Sequence, residues 1–169
     1  MTSFAKTIAA ERPEEIALRD PRQALTWLDV DNVLNRAANA IRLADTGPDL
    51  RIAVFAENGV ETALANLGGL IGGASVVPIN FHLTAEEVAY ILSDSGARMV
   101  FLGPETAERG LEAAALAGID QVIGWRCEIP GLKSWSEWLA ASSPEEPDTS
   151  IPPRPNLLYT SGTTGRPKG

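Results

Sequence analysis

The residues with the clearest chemical purpose are Ser161, Gly162, Thr163, Thr164 and Gly165, small or hydroxylated positions in a row, followed closely by Lys168. Glycine lets backbone N–H groups come close to a ligand and tolerates positive φ. Hydroxyls add further donors, and the lysine ammonium adds a mobile positive charge suited to phosphate. The composition suits a loop wrapped around an anion. This is not a Walker A loop, which needs Gly before the Lys and Ser or Thr after it. Here Pro167 precedes Lys168 and Gly169 follows it.

The elements that must position this loop begin with the run just before it. Asn156 to Tyr159 has the apolar character of a short buried strand. Upstream, Ser142 to Pro155 is rich in proline and carries Glu145, Glu146 and Asp148, which reads as a solvated, extended tether. Further back the chain alternates. Apolar runs start at Arg51, Ala74, Ala97 and Asp120, each 23 residues after the one before. Between them lie helical stripes: Val60, Leu64, Leu67 and Ile71, then Val88, Ile91 and Leu92, then the alanine-rich stretch from Thr106 to Leu116. Continuous apolar strands alternating with helices predict an α/β fold, with a parallel sheet flanked by helices on both faces. The period carries no repeated sequence, so it marks βα units and not a solenoid.

The N-terminal segment predicts a short helix ending at Glu11 and two short strands around the turn Asp20-Pro21-Arg22. A helix then starts at the capping box Thr26/Asp29 and carries Val30, Val33, Leu34, Ala37, Ala38 and Ile41 on one face. Capping boxes also open helices at Thr84/Glu87 and Ser134/Glu137, the latter carrying Trp135, Trp138 and Leu139 as packing residues. Asn58 reads as a helix N-cap. Gly68, Gly69, Gly72 and Gly73 read as close packing or helix termination. His82 is assigned to a surface or loop-packing role, because no base–nucleophile partner accompanies it.

At 169 residues and 44% hydrophobic, the chain has enough apolar content for a core. Its net charge of −8 argues against a nucleic-acid or anionic-membrane surface, so any phosphate must be held locally. One cysteine, Cys127, excludes an internal disulfide and suits a reducing compartment. No apolar run approaches membrane-spanning length, and the expected location is cytoplasmic.

The eleven positions from Tyr159 to Gly169 read Y-T-S-G-T-T-G-R-P-K-G. They resemble the signature loop of the adenylate-forming enzymes, a family of acyl-CoA synthetases, peptide-synthetase adenylation domains and luciferases. A pattern of that length is far more specific than a glycine-rich turn that binds nothing. The likeness extends back to about Ile16. Leu25 to Asp29 and Asn35 to Asn39 resemble the family's early "L-T-[YW]-x-[ED]-L…N-R-x-A-N" helix. Ala74 to Asn80 with Leu83 to Leu92 resembles its "P-[IVL]-N…E-[LIV]-x-[YF]-[IL]-L" stretch, and Ser95 to Arg98 sits in its "D-S-x-A-[KR]" position.

The resemblance implies a partial N-terminal domain of the synthetase fold, divided as 1–141 (α/β part), 142–155 (connector) and 156–169 (strand and phosphate-binding loop). It implies an ATP-dependent enzyme that converts a carboxylate to acyl-AMP and then to acyl-CoA, closest to fatty-acyl-CoA synthetases. Thr160, Ser161, Gly162, Thr163, Thr164, Gly165 and Lys168 would bind the ATP phosphates. Mg²⁺ and coenzyme A are implied too, but no residue here is assigned as a metal ligand or a catalytic group. The family's acid motif and C-terminal lysine domain would follow Gly169, so these residues alone are expected to be inactive and to expose an apolar seam that allows self-association. Two other readings stay open: a non-catalytic binding module that keeps fold and loop, and an amino-acid adenylation domain.

Overall fold

A computed structural model describes residues 4–44, 46–47, 49–127, 132–148, 150–152 and 154–160. Helix α1 (Phe4–Glu11) leads into a hairpin of β1 (Ile16–Arg19) and β2 (Ala24–Thr26). Thr26 then caps α2 (Trp27–Leu43), its hydroxyl accepting from the Asp29 N–H while the Asp29 carboxylate accepts from the Thr26 N–H. The alternating part follows as β3 (Arg51–Phe55), α3 (Val60–Ile71), β4 (Ser75–Ile79), α4 (Ala85–Ser95), β5 (Met99–Leu102), α5 (Ala107–Ala117) and β6 (Gln121–Gly124). A short β7 (Lys133–Ser134) and α6 (Trp135–Ala140) complete it.

The main sheet has the order β4-β3-β5-β6-β7, and every pairing in it is parallel. Its strands bury both faces, as their unbroken apolar runs predict. Ile52, Val54, Met99 and Phe101 enter one core with α2, α3 and the tryptophans of α6. Ala53, Phe55, Val100 and Leu102 enter a second core with α4 and α5. The chain steps from β3 to β4 with its helix on the first face, then reverses past β3 to β5 with its helices on the second. The reversal puts the topological switch point between β3 and β5.

Small residues set the layer spacing. A Cβ on Gly68 would lie 2.6 Å from the Ala37 Cβ, so α2 and α3 touch there backbone to backbone. A Cβ on Gly69 would lie 2.7 Å from both Ile52 and Val76 side-chain atoms of the sheet. The close-packing reading of these two glycines holds. Trp135 and Trp138 stack at 5.3 Å with Phe101 set edge-on at 5.7 and 5.2 Å, confirming them as core residues.

Three expectations need correction. The helix after β3 is capped by Gly59, not Asn58, and the Val60 N–H is met from outside by the Asp20 carboxylate at 3.2 Å. The residues 142–148 are no free tether. Asn39 donates to the carbonyls of Ser143 and Glu145 at 3.0 and 2.9 Å, Arg36 donates to that of Ser142, and Lys6 pairs with Glu146. Proline removes N–H donors but leaves carbonyls free, and the donors of α2 take up carbonyls of this run. Finally, Asn156–Tyr159 forms no regular strand. It runs beside β4 in the same sense, with the Leu157 N–H on Val76 O at 3.0 Å and the Ser75 hydroxyl on Pro155 O at 2.7 Å. Pro155 has no N–H to donate, so the ladder cannot start there.

Candidate functional site

Of the seven residues expected to bind phosphate, Thr160 lies within the described residues, exposed and in an isolated β-bridge. Ser161, Gly162, Thr163, Thr164, Gly165 and Lys168 lie outside them. What the structure does define is the approach to the loop. The chain is gripped by α2 through Arg36 and Asn39, then by β4 through Ser75 and Val76. A last contact comes at Tyr159, whose hydroxyl donates to Asp94 Oδ2 at 2.6 Å. Its ring packs half-buried in the second core beside Leu157. Burial first, and then the Asp94 carboxylate, hold the Tyr159 phenol above its ordinary value. Arg36, Asn39 and Asp94 were not assigned a role from sequence. Arg36 and Asn39 fall inside the stretch Asn35–Asn39 that carries the family likeness, and Asp94 immediately precedes the stretch Ser95–Arg98.

The C-terminal edge of the sheet, where open α/β folds bind ligands, is built differently. At the switch point the Thr106 hydroxyl donates to Phe55 O at 2.6 Å and accepts from the Gly103 N–H at 3.1 Å. Glu57 lies so close over Gly103 that a Cβ there would meet its Oε2 at 2.2 Å. Thr106 and Glu57 thus close the crevice between β3 and β5. Beside it lies a cavity of about 190 Å³ lined by Asp20, Glu57, Glu61, Glu105, Arg22 and Arg126, among others. Arg126 is engaged by Glu61 at 2.8 Å and Asp20 at 3.1 Å. The remaining carboxylates make the cavity hostile to phosphate. Among the described residues, no cluster of His, Cys, Asp or Glu is arranged to hold a metal ion.

Asp20 is the organiser of that edge. Its carboxyl is held well below the usual range by the Arg22 N–H first, against the opposing pull of burial, and then by the N–H groups of Val60 and Gln23 and by Arg126. Arg126 occupies the left-handed region at φ 56°, a conformation that costs a non-glycine residue energy and that its two carboxylate partners offset. His82 is exposed and its ring lies tilted against Phe81 with centroids 4.0 Å apart, which fits a surface or loop-packing role. The loop behind it is held by Arg109, which donates to Leu83 O and Phe81 O. Cys127 is a half-buried free thiol, pushed up chiefly by burial. No described helix is long and apolar enough to cross a membrane.

The parallel sheet covered on both faces matches the N-terminal domains of adenylate-forming enzymes. The profile of the AMP-binding enzymes matches residues 5–169, and the chain belongs to that family. Among curated relatives it is 35% identical over 147 residues to the long-chain-fatty-acid–CoA ligase FadD13 of Mycobacterium tuberculosis, covering 86% of this chain and 29% of that protein. It is 29% identical over 157 residues to tyrocidine synthase 3 of Brevibacillus parabrevis, covering 93% of this chain and 2% of that protein. An inhibitor-bound crystal structure of the N-terminal domain of FACL13 from Mycobacterium tuberculosis superposes with a TM-score of 0.80 at 30% identity, covering 100% of this chain and 44% of that one. The chain therefore spans less than a third of the length of these curated relatives.

Proposed function

We propose that the protein carrying this chain is an ATP-dependent acyl-activating enzyme that joins a carboxylate to AMP and passes the acyl group to the thiol of coenzyme A. The observation that carries this is the unbroken loop pattern from Tyr159 to Gly169, within a chain whose fold aligns throughout with an adenylate-forming N-terminal domain. Residues 1–141 supply the α/β frame, 142–155 the connector, and 156–169 the loop and its lead-in. Attack of the carboxylate on the α-phosphorus expels pyrophosphate, so negative charge builds on the β- and γ-phosphates. N–H groups and hydroxyls of Thr160, Ser161, Gly162, Thr163, Thr164 and Gly165 would receive those oxygens, and Lys168 would neutralise them. The described residues offer no ligand set for Mg²⁺, and no step here is routed through it.

A fatty acid is the carboxylate we favour, on the strength of the higher identity to the fatty-acid ligase. Amino-acid adenylation is the second reading, favoured by the match to the peptide synthetase over 93% of this chain. Pyrophosphate–ATP exchange separates them. Exchange above a no-protein blank with medium- or long-chain fatty acids, and none with amino acids, supports the first. The reverse pattern establishes the second. No exchange with either class would leave the non-catalytic module.

A further inference from the structure

Asp94 sits where physical chemistry disfavours it. It lies in the last turn of α4, a helix end that carries partial negative charge and that favours cations. No basic residue occupies that turn. Asp94 is exposed and open to water, and the structure adds a protein donor from a distant part of the chain. The Tyr159 hydroxyl donates to its Oδ2 at 2.6 Å, across 65 residues of sequence. A hydrogen bond to an ionised acceptor is stronger and more directional than a neutral one.

The helix end that carries Asp94 is tied to the sheet. Helix α4 ends at Gly96 in the left-handed conformation, φ 68°. Ser95 is fully buried, its hydroxyl donating to Leu92 O at 3.2 Å and accepting from the Ala97 N–H at 3.3 Å. The Arg51 guanidinium, on the first residue of β3, donates to Ser95 O at 2.6 Å. The helix end is thereby pinned to the sheet, and Asp94 with it. On the other partner, the Tyr159 ring is seated in the second core, and one residue separates it from the stretch Ser161–Gly169. Leu157, two residues before, is tied to Val76. The segment thus has a backbone tie and a side-chain tie immediately before the loop.

We propose that Asp94 is a positioning residue for the phosphate loop, acting through the hydroxyl of Tyr159. The inference rests on the phosphate-loop reading above. A group that must meet charge as it develops on a leaving pyrophosphate gains little from being present and much from being held in register, and misplacement by an ångström can cost on the order of a hundredfold in rate. The Asp94–Tyr159 contact fixes where the loop begins, and the loop itself carries the donors.

The test uses the complete protein carrying this chain, in four variants: Tyr159→Phe, Asp94→Ala, Asp94→Asn and the double variant Asp94→Ala/Tyr159→Phe. Pyrophosphate–ATP exchange reads adenylation, thioester formation from supplied acyl-AMP reads the second half-reaction, and melting temperature controls for folding. Tyr159→Phe and Asp94→Ala should each lower kcat for adenylation by about tenfold or more, with a smaller change in the KM for ATP. Thioester formation should stay within about twofold of wild type. The double variant should lose no more than either single one, because both remove the same contact. Asp94→Asn should recover most of the rate, since its amide oxygen still accepts from the phenol. Adenylation within twofold of wild type in Tyr159→Phe would overturn the proposal. So would multiplicative losses in the double variant, Asp94→Asn as damaged as Asp94→Ala, or equal losses in both half-reactions that track a fall in melting temperature. If the wild-type protein itself shows no exchange, the phosphate-loop reading fails and this inference with it. An active wild type with an unaffected Tyr159→Phe removes the inference alone.

Discussion

Asp20 accepts from three backbone N–H groups and pairs with Arg126, and in doing so it ties the hairpin turn, the start of α3 and the end of β6 together. Because its folded-state pKa lies below the ordinary value, its contribution to stability is fully present above the ordinary aspartate pKa of about 4 and fades as pH falls through the folded-state value. Urea midpoints of wild type and Asp20→Asn should therefore differ by a constant amount at neutral pH, and the gap should close below about pH 4. A gap that stays constant or widens on acidification would show that Asp20 acts through something other than its charge. The residue could not be singled out from sequence. Asp20-Pro21-Arg22 reads as a turn, and nothing local indicates that its carboxylate caps a helix forty residues on.

Among the elements, α2 carries the most duties. Its inner face packs on the sheet and on α3, and its outer donors, Arg36 and Asn39, hold the carbonyls of the proline-rich run. Gly68→Ala would push a methyl into Ala37 at the closest point of α2 and α3, and should destabilise by about 1–3 kcal/mol, read from denaturant unfolding. A stabilised variant would mean that the two helices can separate freely, contrary to the observed contact. Removing the clasp with Arg36→Ala and Asn39→Ala should leave the core intact but free the segment 142–148. Limited proteolysis within that segment should speed up several-fold with little change in the unfolding midpoint. Cleavage at the wild-type rate would show that prolines alone hold it. Sequence patterning revealed α2 and its capping box because both signals are local. The clasp joins residues more than a hundred positions apart, and its acceptors are carbonyls, which every residue has.

At the scale of the whole molecule, the βα alternation was legible because each strand is buried on both faces and each helix shows its stripe. The order β4-β3-β5-β6-β7 was not, since no residue records which neighbour a parallel strand chooses. Asn156–Tyr159 has a strand's composition but lacks its pairing, and only the position of Pro155 hints at why. Apolar side chains remain exposed on these 169 residues, among them Leu158 at 61% and Leu116 at 62%. Leu158 stands on the segment beside the edge strand β4, so that edge offers exposed apolar surface. Light scattering on the 169-residue chain should show association or dye-binding hydrophobic surface, whereas a clean monomer without dye binding would count against an exposed seam.

The central claim is that the loop after Tyr159 holds the pyrophosphate that leaves during acyl activation. Lys168→Ala in the complete protein tests it directly, with the two half-reactions measured side by side and melting temperature as the folding control. Loss of a positioned charge at developing phosphate charge should slow adenylation by on the order of a hundredfold. Lys168→Arg should recover part of that, because a planar fork does not reproduce a compact ammonium. Thioester formation from supplied acyl-AMP should persist, since pyrophosphate has already departed. Equal loss in both half-reactions, or no loss in either, would contradict the account.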